Sequence, residues 1–183
     1  MSLRHLVLSL VSCSFVCAAY AEPAPQKVID LANTTLAAFA ADPVIVEAVK
    51  AENAKGKTLD QVKKMDEDWQ LEAGVTEQMK AIMDNPAAQK LIEIKKTAPY
   101  YAEIFVTDSL GANVAMTDKT SDYWQDDEPK FINSFASGAG AIFVNDVKFD
   151  ESTQTYVVQV SVPVKDGDKA IGTITFGIDV EKV

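Results

Sequence analysis

The sequence predicts one α+β domain, with long N-terminal helices packed on one face of an antiparallel sheet of five or six strands. Two patterns predict it. Apolar residues recur at helical spacing as far as about residue 98, and from residue 100 they alternate with period two. A third observation sets the domain count. No internal repeat or low-complexity linker divides residues 22–183, and about 160 residues suffice for a single core.

Residues 1–21 stand apart from that domain. Arg4 and His5 precede an apolar run from Leu6 to Ala19, and Ala19-Tyr20-Ala21 is a small-x-small cleavage pattern before Glu22. The run is too short to span a bilayer stably, so the segment reads as a secretory signal peptide cleaved before Glu22, with a periplasmic product. Leu10-Val11-Ser12-Cys13 loosely matches a lipoprotein box, a second reading in which Cys13 is lipidated.

The helical part covers residues 26–98. Val28, Leu31, Ala32, Leu36 and Phe39 mark the buried stripe of the first helix. Asp42-Pro43 is an N-cap followed by a first-turn proline, which predicts a restart or kink. Val44, Ile45, Val46 and Val49 continue until Gly56. Thr58 and Gln61 form a capping box, opening a helix that carries Val62, Met65 and Trp69 and ends by Gly74. A further helix spans about Thr76 to Met83, and Asn85-Pro86 starts the last, with Leu91 and Ile94.

The sheet part covers residues 100–183. Ala102 to Thr107 and Ala112 to Met116 read as a hairpin turned at Asp108 to Gly111. A loop follows, then a short helix near Pro129 to Phe135. Ala141 to Val144 and Val147 to Phe149 are strand segments. Tyr156, Val158, Val160 and Val162 alternate with Val157, Gln159 and Ser161 along a long strand. Asp166-Gly167-Asp168 turns it into a last strand, Ala170 to Ile178.

The inventory of side chains narrows the chemistry. Without residues 1–21 the chain has no cysteine, histidine or arginine, and 16 lysines face 27 acids, a formal charge of −11. That balance argues against nucleic acid and anionic lipid as partners. Thiol and Ser-His-Asp nucleophiles are excluded, as are zinc sites built on His or Cys and bidentate arginine clamps. No phosphate loop or dinucleotide fingerprint occurs. Carboxylate, lysine, hydroxyl and aromatic groups remain, an inventory suited to binding rather than catalysis, and no cofactor or metal is expected.

Several segments together resemble the Cache family, the PAS-like extracellular sensor domains of bacterial receptors. IFVTDSLGANVAMT at 104–117 is similar to its opening hairpin, TSDYWQDDEPKF at 120–131 to its ligand-facing loop and short helix, VNDVKFDESTQTYVVQVSVPV at 144–164 to its central strands, and KAIGTITFGIDVEKV at 169–183 to its last strand. The resemblance covers residues 100–183; the helices before it fit in character. It implies a single Cache domain, a PAS-like sheet cupping a small ligand, and a sensing role. Members usually sit between two transmembrane helices and feed a chemotaxis, kinase or cyclic-di-GMP output. Here the sequence ends at Val183 without a second apolar span. The expectation is therefore a stand-alone exported module that reports to a separate membrane-bound receptor, kinase or cyclic-di-GMP enzyme.

The candidate site is the aromatic and acidic loop. Tyr123 and Trp124 adjoin Asp126, Asp127 and Glu128. An ammonium over an aromatic face gains ~0.5–2 kcal/mol, and a carboxylate partner in a partly dry pocket adds roughly 1.5–3 kcal/mol. The resemblance implies that Asp150 takes the ammonium-binding position and Tyr123 that of the loop tyrosine. The position of a carboxylate-binding arginine falls near Glu128, an acid, so Lys119 or Lys130 would have to substitute. The expected ligand-binding set is Tyr123, Trp124, Asp126, Lys130 and Asp150, and the expected ligand a small amine or amino acid. Alternatives stay open. Asp127 and Glu128 suit a helix N-terminus, Trp124 a core plug, and Asp150 a cap of the turn at 151–153. The same fold can hold a short-chain carboxylate on Lys119 and Lys130, or serve as a scavenging or structural binding protein. An enzyme would have to pair Asp126 with Asp150, and calcium would need a ligand spacing that Asp122, Asp126 and Asp127 lack.

Overall fold

The computed structural model describes residues 22–150 and 154–183. The expected signal peptide and its cleavage point, Cys13 and the expected turn at 151–153 lie outside the described residues. The first helix runs as α1 (Gln26–Leu31), a π-helical turn (Ala32–Leu36) and α2 (Ala37–Ala40). In and beside that turn, Asn33 Nδ2 donates to the Ile29 carbonyl at 2.7 Å and Thr34 Oγ1 to that of Asp30 at 2.7 Å. These side chains compete for helical acceptors, the local chemistry that loosens a helix. At Asp42 the chain bends by 65° into α3 (Pro43–Ala54). Asp42 accepts from the Val44 amide at 2.9 Å, as an N-cap should. Then come α4 (Leu59–Leu71), α5 (Glu77–Asp84) and α6 (Pro86–Lys95). Thr58 and Gln61 close the expected capping box on α4, and Asn85 caps α6 through the Ala88 amide at 2.9 Å. Helix α4 ends at Leu71, three residues short of Gly74.

The strands are β1 (Tyr101–Thr107), β2 (Asn113–Met116), β3 (Phe143–Val144), β4 (Lys148–Asp150), β5 (Thr155–Asp166) and β6 (Lys169–Asp179), with α7 (Pro129–Phe135) before β3. Among the described residues they form one antiparallel sheet in the order β2-β1-β6-β5-β3, with β4 also on β5. No single helix there is long and apolar enough to cross a membrane.

Strand alternation gives the sheet two unlike faces. On one face Ile104, Val106, Val158, Val160, Val162, Ile174, Phe176 and Ile178 pack against Val28, Leu36, Ile45, Val49, Leu91 and Ile94 of the helices. On the other, register aligns three rows across β1, β6 and β5: Thr107–Thr173–Pro163, Phe105–Thr175–Ser161 and Glu103–Gly177–Gln159. The first two rows satisfy themselves, through Thr107 to Thr173 at 2.8 Å and Ser161 to Thr175 at 2.7 Å. The third row carries a carboxylate and an amide. Helices α4 and α5 join Phe105 on this second face, where Val62, Trp69 and Met79 cluster with Ala112, Met116 and Tyr123. The expectation of helices on one face thus holds for α1, α3 and α6, while the bulky Trp69 and Tyr123 draw α4 to the other side.

Candidate functional site

The loop between β2 and α7 is tied down residue by residue. Asp108 Oδ1 accepts from the amides of Leu110 and Ala112 at 2.9 and 3.0 Å, which sets the β1–β2 turn. Gly111 completes that turn at φ +78°, and a Cβ there would stand 2.7 Å from the Asp126 nitrogen, so the loop can lie directly against it. Gln125 then donates its amide to the Gly111 carbonyl at 2.8 Å, and Asn113 donates to that of Tyr123 at 3.0 Å. From α4, Asp66 Oδ1 accepts from the amides of Tyr123 and Trp124 at 2.7 and 3.0 Å. Trp69 Nε1 donates to the Thr120 carbonyl at 2.9 Å.

This anchoring decides where the aromatics go. Tyr123 is buried, with its ring 5.6 Å from that of Trp69. Its hydroxyl receives a hydrogen bond from Lys57 Nζ at 2.9 Å, and the same ammonium pairs with Glu52 at 3.0 Å and Asp108 at 3.1 Å. Burial alone would lower the pKa of Lys57. The Tyr123 hydrogen bond and the charge of Asp108 outweigh it, so the ammonium is held above its usual range. Trp124 is half-buried, donates Nε1 to the Leu110 carbonyl at 2.8 Å and has Lys63 Nζ 4.9 Å from its ring centre. Both aromatics thus face cations of the chain itself. Asp126 is exposed.

A cleft of about 410 Å³ opens where the third row of the sheet meets the loop, α7 and β4. Lys130 and Asp150 line it, together with Glu103, Gln125, Glu128, Asp146 and Gln159. Tyr123, Trp124 and Asp126 are not among its lining residues. Lys130 is buried, donates to Glu128 Oε2 at 2.7 Å and lies 5.5 Å from the Phe105 ring centre. Glu128 stands at the N-cap of α7 without capping it, its carboxylate being turned to Lys130. Lys119 donates to the carbonyls of Glu72 and Gly74 at 2.6 and 3.1 Å.

Glu103 forms part of the floor. Gly177 beside it has no side chain, and a Cβ there would stand 2.7 Å from Glu103 Cγ. That space lets the Glu103 stem lie across the sheet, where Oε1 accepts from Gln159 Nε2 at 3.3 Å. Burial is the largest influence on this carboxyl and raises its pKa; Asp150 adds to the rise, while Gln159 and Lys130 oppose it.

Reading the loop for ligand contacts left out Glu103, Gln125 and Gln159. The signal was an acid inside the apolar strand YAEIFVT, on the side opposite Ile104 and Val106, and an amide likewise alternating in β5. A second cleft, about 680 Å³, lies among α3, α4, α5, α6 and β2. Its wall is largely apolar, with Val44, Met65, Ile82 and Val114, and Tyr123 reaches it from the loop side. Among the described residues no group of three acidic, histidine or cysteine side chains is placed to hold a metal ion.

The whole architecture superposes on that of the sensor domain of the Vibrio cholerae histidine kinase DctB, with a TM-score of 0.50 at 11% identity, over 86% of this chain and 51% of that one. The chain has the fold of a Cache-type sensor domain. It spans about half the length of the DctB sensor domain. The sensory domain of the Campylobacter jejuni chemoreceptor Tlp3, solved with isoleucine bound, is similar at a TM-score of 0.42 and 16% identity, over 86% of this chain and 64% of that one. No protein-family model and no curated protein sequence matches the chain. In this Cache-type fold the polar sheet face, the loop and α7 enclose the cleft, while the opposite face is closed by helices.

Proposed function

We propose that the protein is an exported ligand-binding sensor module that takes a small amine or amino acid in the cleft of the polar sheet face. The observation that carries this reading is the composition of the cleft: four carboxylates, those of Glu103, Glu128, Asp146 and Asp150, line one space with three lysines, Lys119, Lys130 and Lys148. A volume of about 410 Å³ suits a small metabolite. Asp150 and Lys130 contact the ligand in this account. Tyr123 and Trp124 act by holding the loop, and Asp126 lies outside the lining of the cleft. The module catalyses no reaction and hands its ligand state to a membrane-bound receptor, kinase or cyclic-di-GMP enzyme. The sensor fold supports that role, and the periplasm is where it would operate.

Thermal shift on residues 22–183 tests the reading. Amines or amino acids at a hundredfold over Kd should add ~2.7 kcal/mol, roughly 5–11 °C in melting temperature for a domain of this size. Asp150→Asn should abolish the shift. A shift produced by acetate-like ligands, lost in Lys130→Ala and kept in Asp150→Asn, would replace the amine by a carboxylate.

A further inference from the structure

Two acceptors at the cleft are short of donors, Gln125 Oε1 wholly and the Glu103 carboxylate in part. Gln125 is 2% exposed, and its Nε2 donates to the Asp122 carbonyl at 2.9 Å. A carbonyl can only accept, so this contact fixes which end of the amide is nitrogen. The other end, Oε1, is buried and has no hydrogen-bond partner among the described residues. Glu103 lines the same cleft, with one long hydrogen bond from Gln159 at 3.3 Å and no lysine within ion-pair distance among the described residues. A buried acceptor left without a donor is costly, and Glu103, partly buried with a single long hydrogen bond and no ion pair, is poorly compensated as a carboxylate.

Two of the three lysines lining the cleft are otherwise engaged. Lys119 is spent on the Glu72 and Gly74 carbonyls, Lys130 on Glu128, and Lys148 lies exposed on β4. No arginine follows Arg4 in the sequence. A ligand bearing its own carboxylate would meet four acids against three lysines, of which Lys119 and Lys130 are engaged and Lys148 is exposed.

Resting on the sensor reading above, we infer that Glu103 and Gln125 receive the ammonium of the ligand, and that the ligand is an alkylamine or diamine without a carboxylate. A protonated amine brings three N–H donors and one positive charge. These supply what both acceptors lack, and the charge-assisted bond to Glu103 is the stronger kind. The alkyl stem lies against Phe105, Phe149 and Val157 of the same cleft.

Calorimetric titration of residues 22–183 with butylamine, 1,4-diaminobutane, 4-aminobutanoate and butyrate tests this. One or both of the amines should bind at least tenfold more tightly than 4-aminobutanoate, and butyrate should not bind. Glu103→Gln should weaken amine binding tenfold or more while the unliganded protein stays folded, as its own melting curve will show. Asp126→Asn, an exposed acid outside the cleft, should leave binding unchanged. Amine binding that survives Glu103→Gln overturns the inference. If 4-aminobutanoate or butyrate binds and the amines do not, the inference falls and the sensor reading stands. If none of the four binds, both fall.

Discussion

Glu103 is the residue on which the site turns. A carboxylate in the middle of a central strand is tolerated because Gly177 gives its stem room and Gln159 gives it one donor. Burial raises its pKa, so folding favours the protonated form. The sign follows from linkage. A group whose pKa is raised in the folded state contributes stability that is full below its unfolded pKa and is lost as pH rises through the folded value. Glu103→Gln removes that loss. Its melting temperature should exceed that of the parent near neutral pH, and the difference should shrink toward about pH 4, in the ordinary glutamate range. A gain independent of pH, or a loss at neutral pH, would show that the charged form is already satisfied in the free protein.

At the scale of elements, the loop from Thr117 to Glu128 is held by partners from three directions. The turn supplies the Gly111 carbonyl, helix α4 supplies Asp66 and Trp69, and the α3–α4 connection supplies Lys57. Lys57 joins Glu52, Asp108 and Tyr123 at 3.0, 3.1 and 2.9 Å, and the Asp108 side chain is 1% exposed. Removing the cation leaves that carboxylate buried and unpaired. Lys57→Ala should therefore cost on the order of 3 kcal/mol, roughly 6–12 °C in melting temperature at this size. Thermal unfolding checks it, and a change below about 2 °C would mean that water replaces the lysine. This network also explains what the sequence could and could not tell. The Thr58–Gln61 capping box, the Asp42-Pro43 kink and the α7 boundaries at Pro129 and Phe135 are local signals and were legible. The pairing of Tyr123 with a lysine 66 residues away was not. An aromatic beside acids looks alike whether its cation comes from a ligand or from the chain. Glu103 was legible as an acid within an apolar strand, but its partner Gln125 becomes visible only when strand and loop are brought together.

At the scale of the whole molecule, one sheet does two jobs. Its apolar face is sealed by α1, α3 and α6 and supplies the main core. Its polar face is closed in two rows by hydroxyl pairs and left open in the third. A ligand at that third row would touch β1, β4, β5, the loop and α7 together, so binding there can change how α7 and the loop sit on the sheet. The central claim is that this cleft, and not the apolar one among α3 to α6, is where a small cation binds. The most direct measurement is amide chemical-shift mapping of residues 22–183 during titration with 1,4-diaminobutane. The account predicts saturable shifts centred on Glu103, Gln125, Lys130, Asp150 and Gln159, with Val44, Met65 and Ile82 unmoved. Shifts confined to Val44, Met65, Ile82 and Val114, or no saturable shift at the five cleft residues, would contradict it.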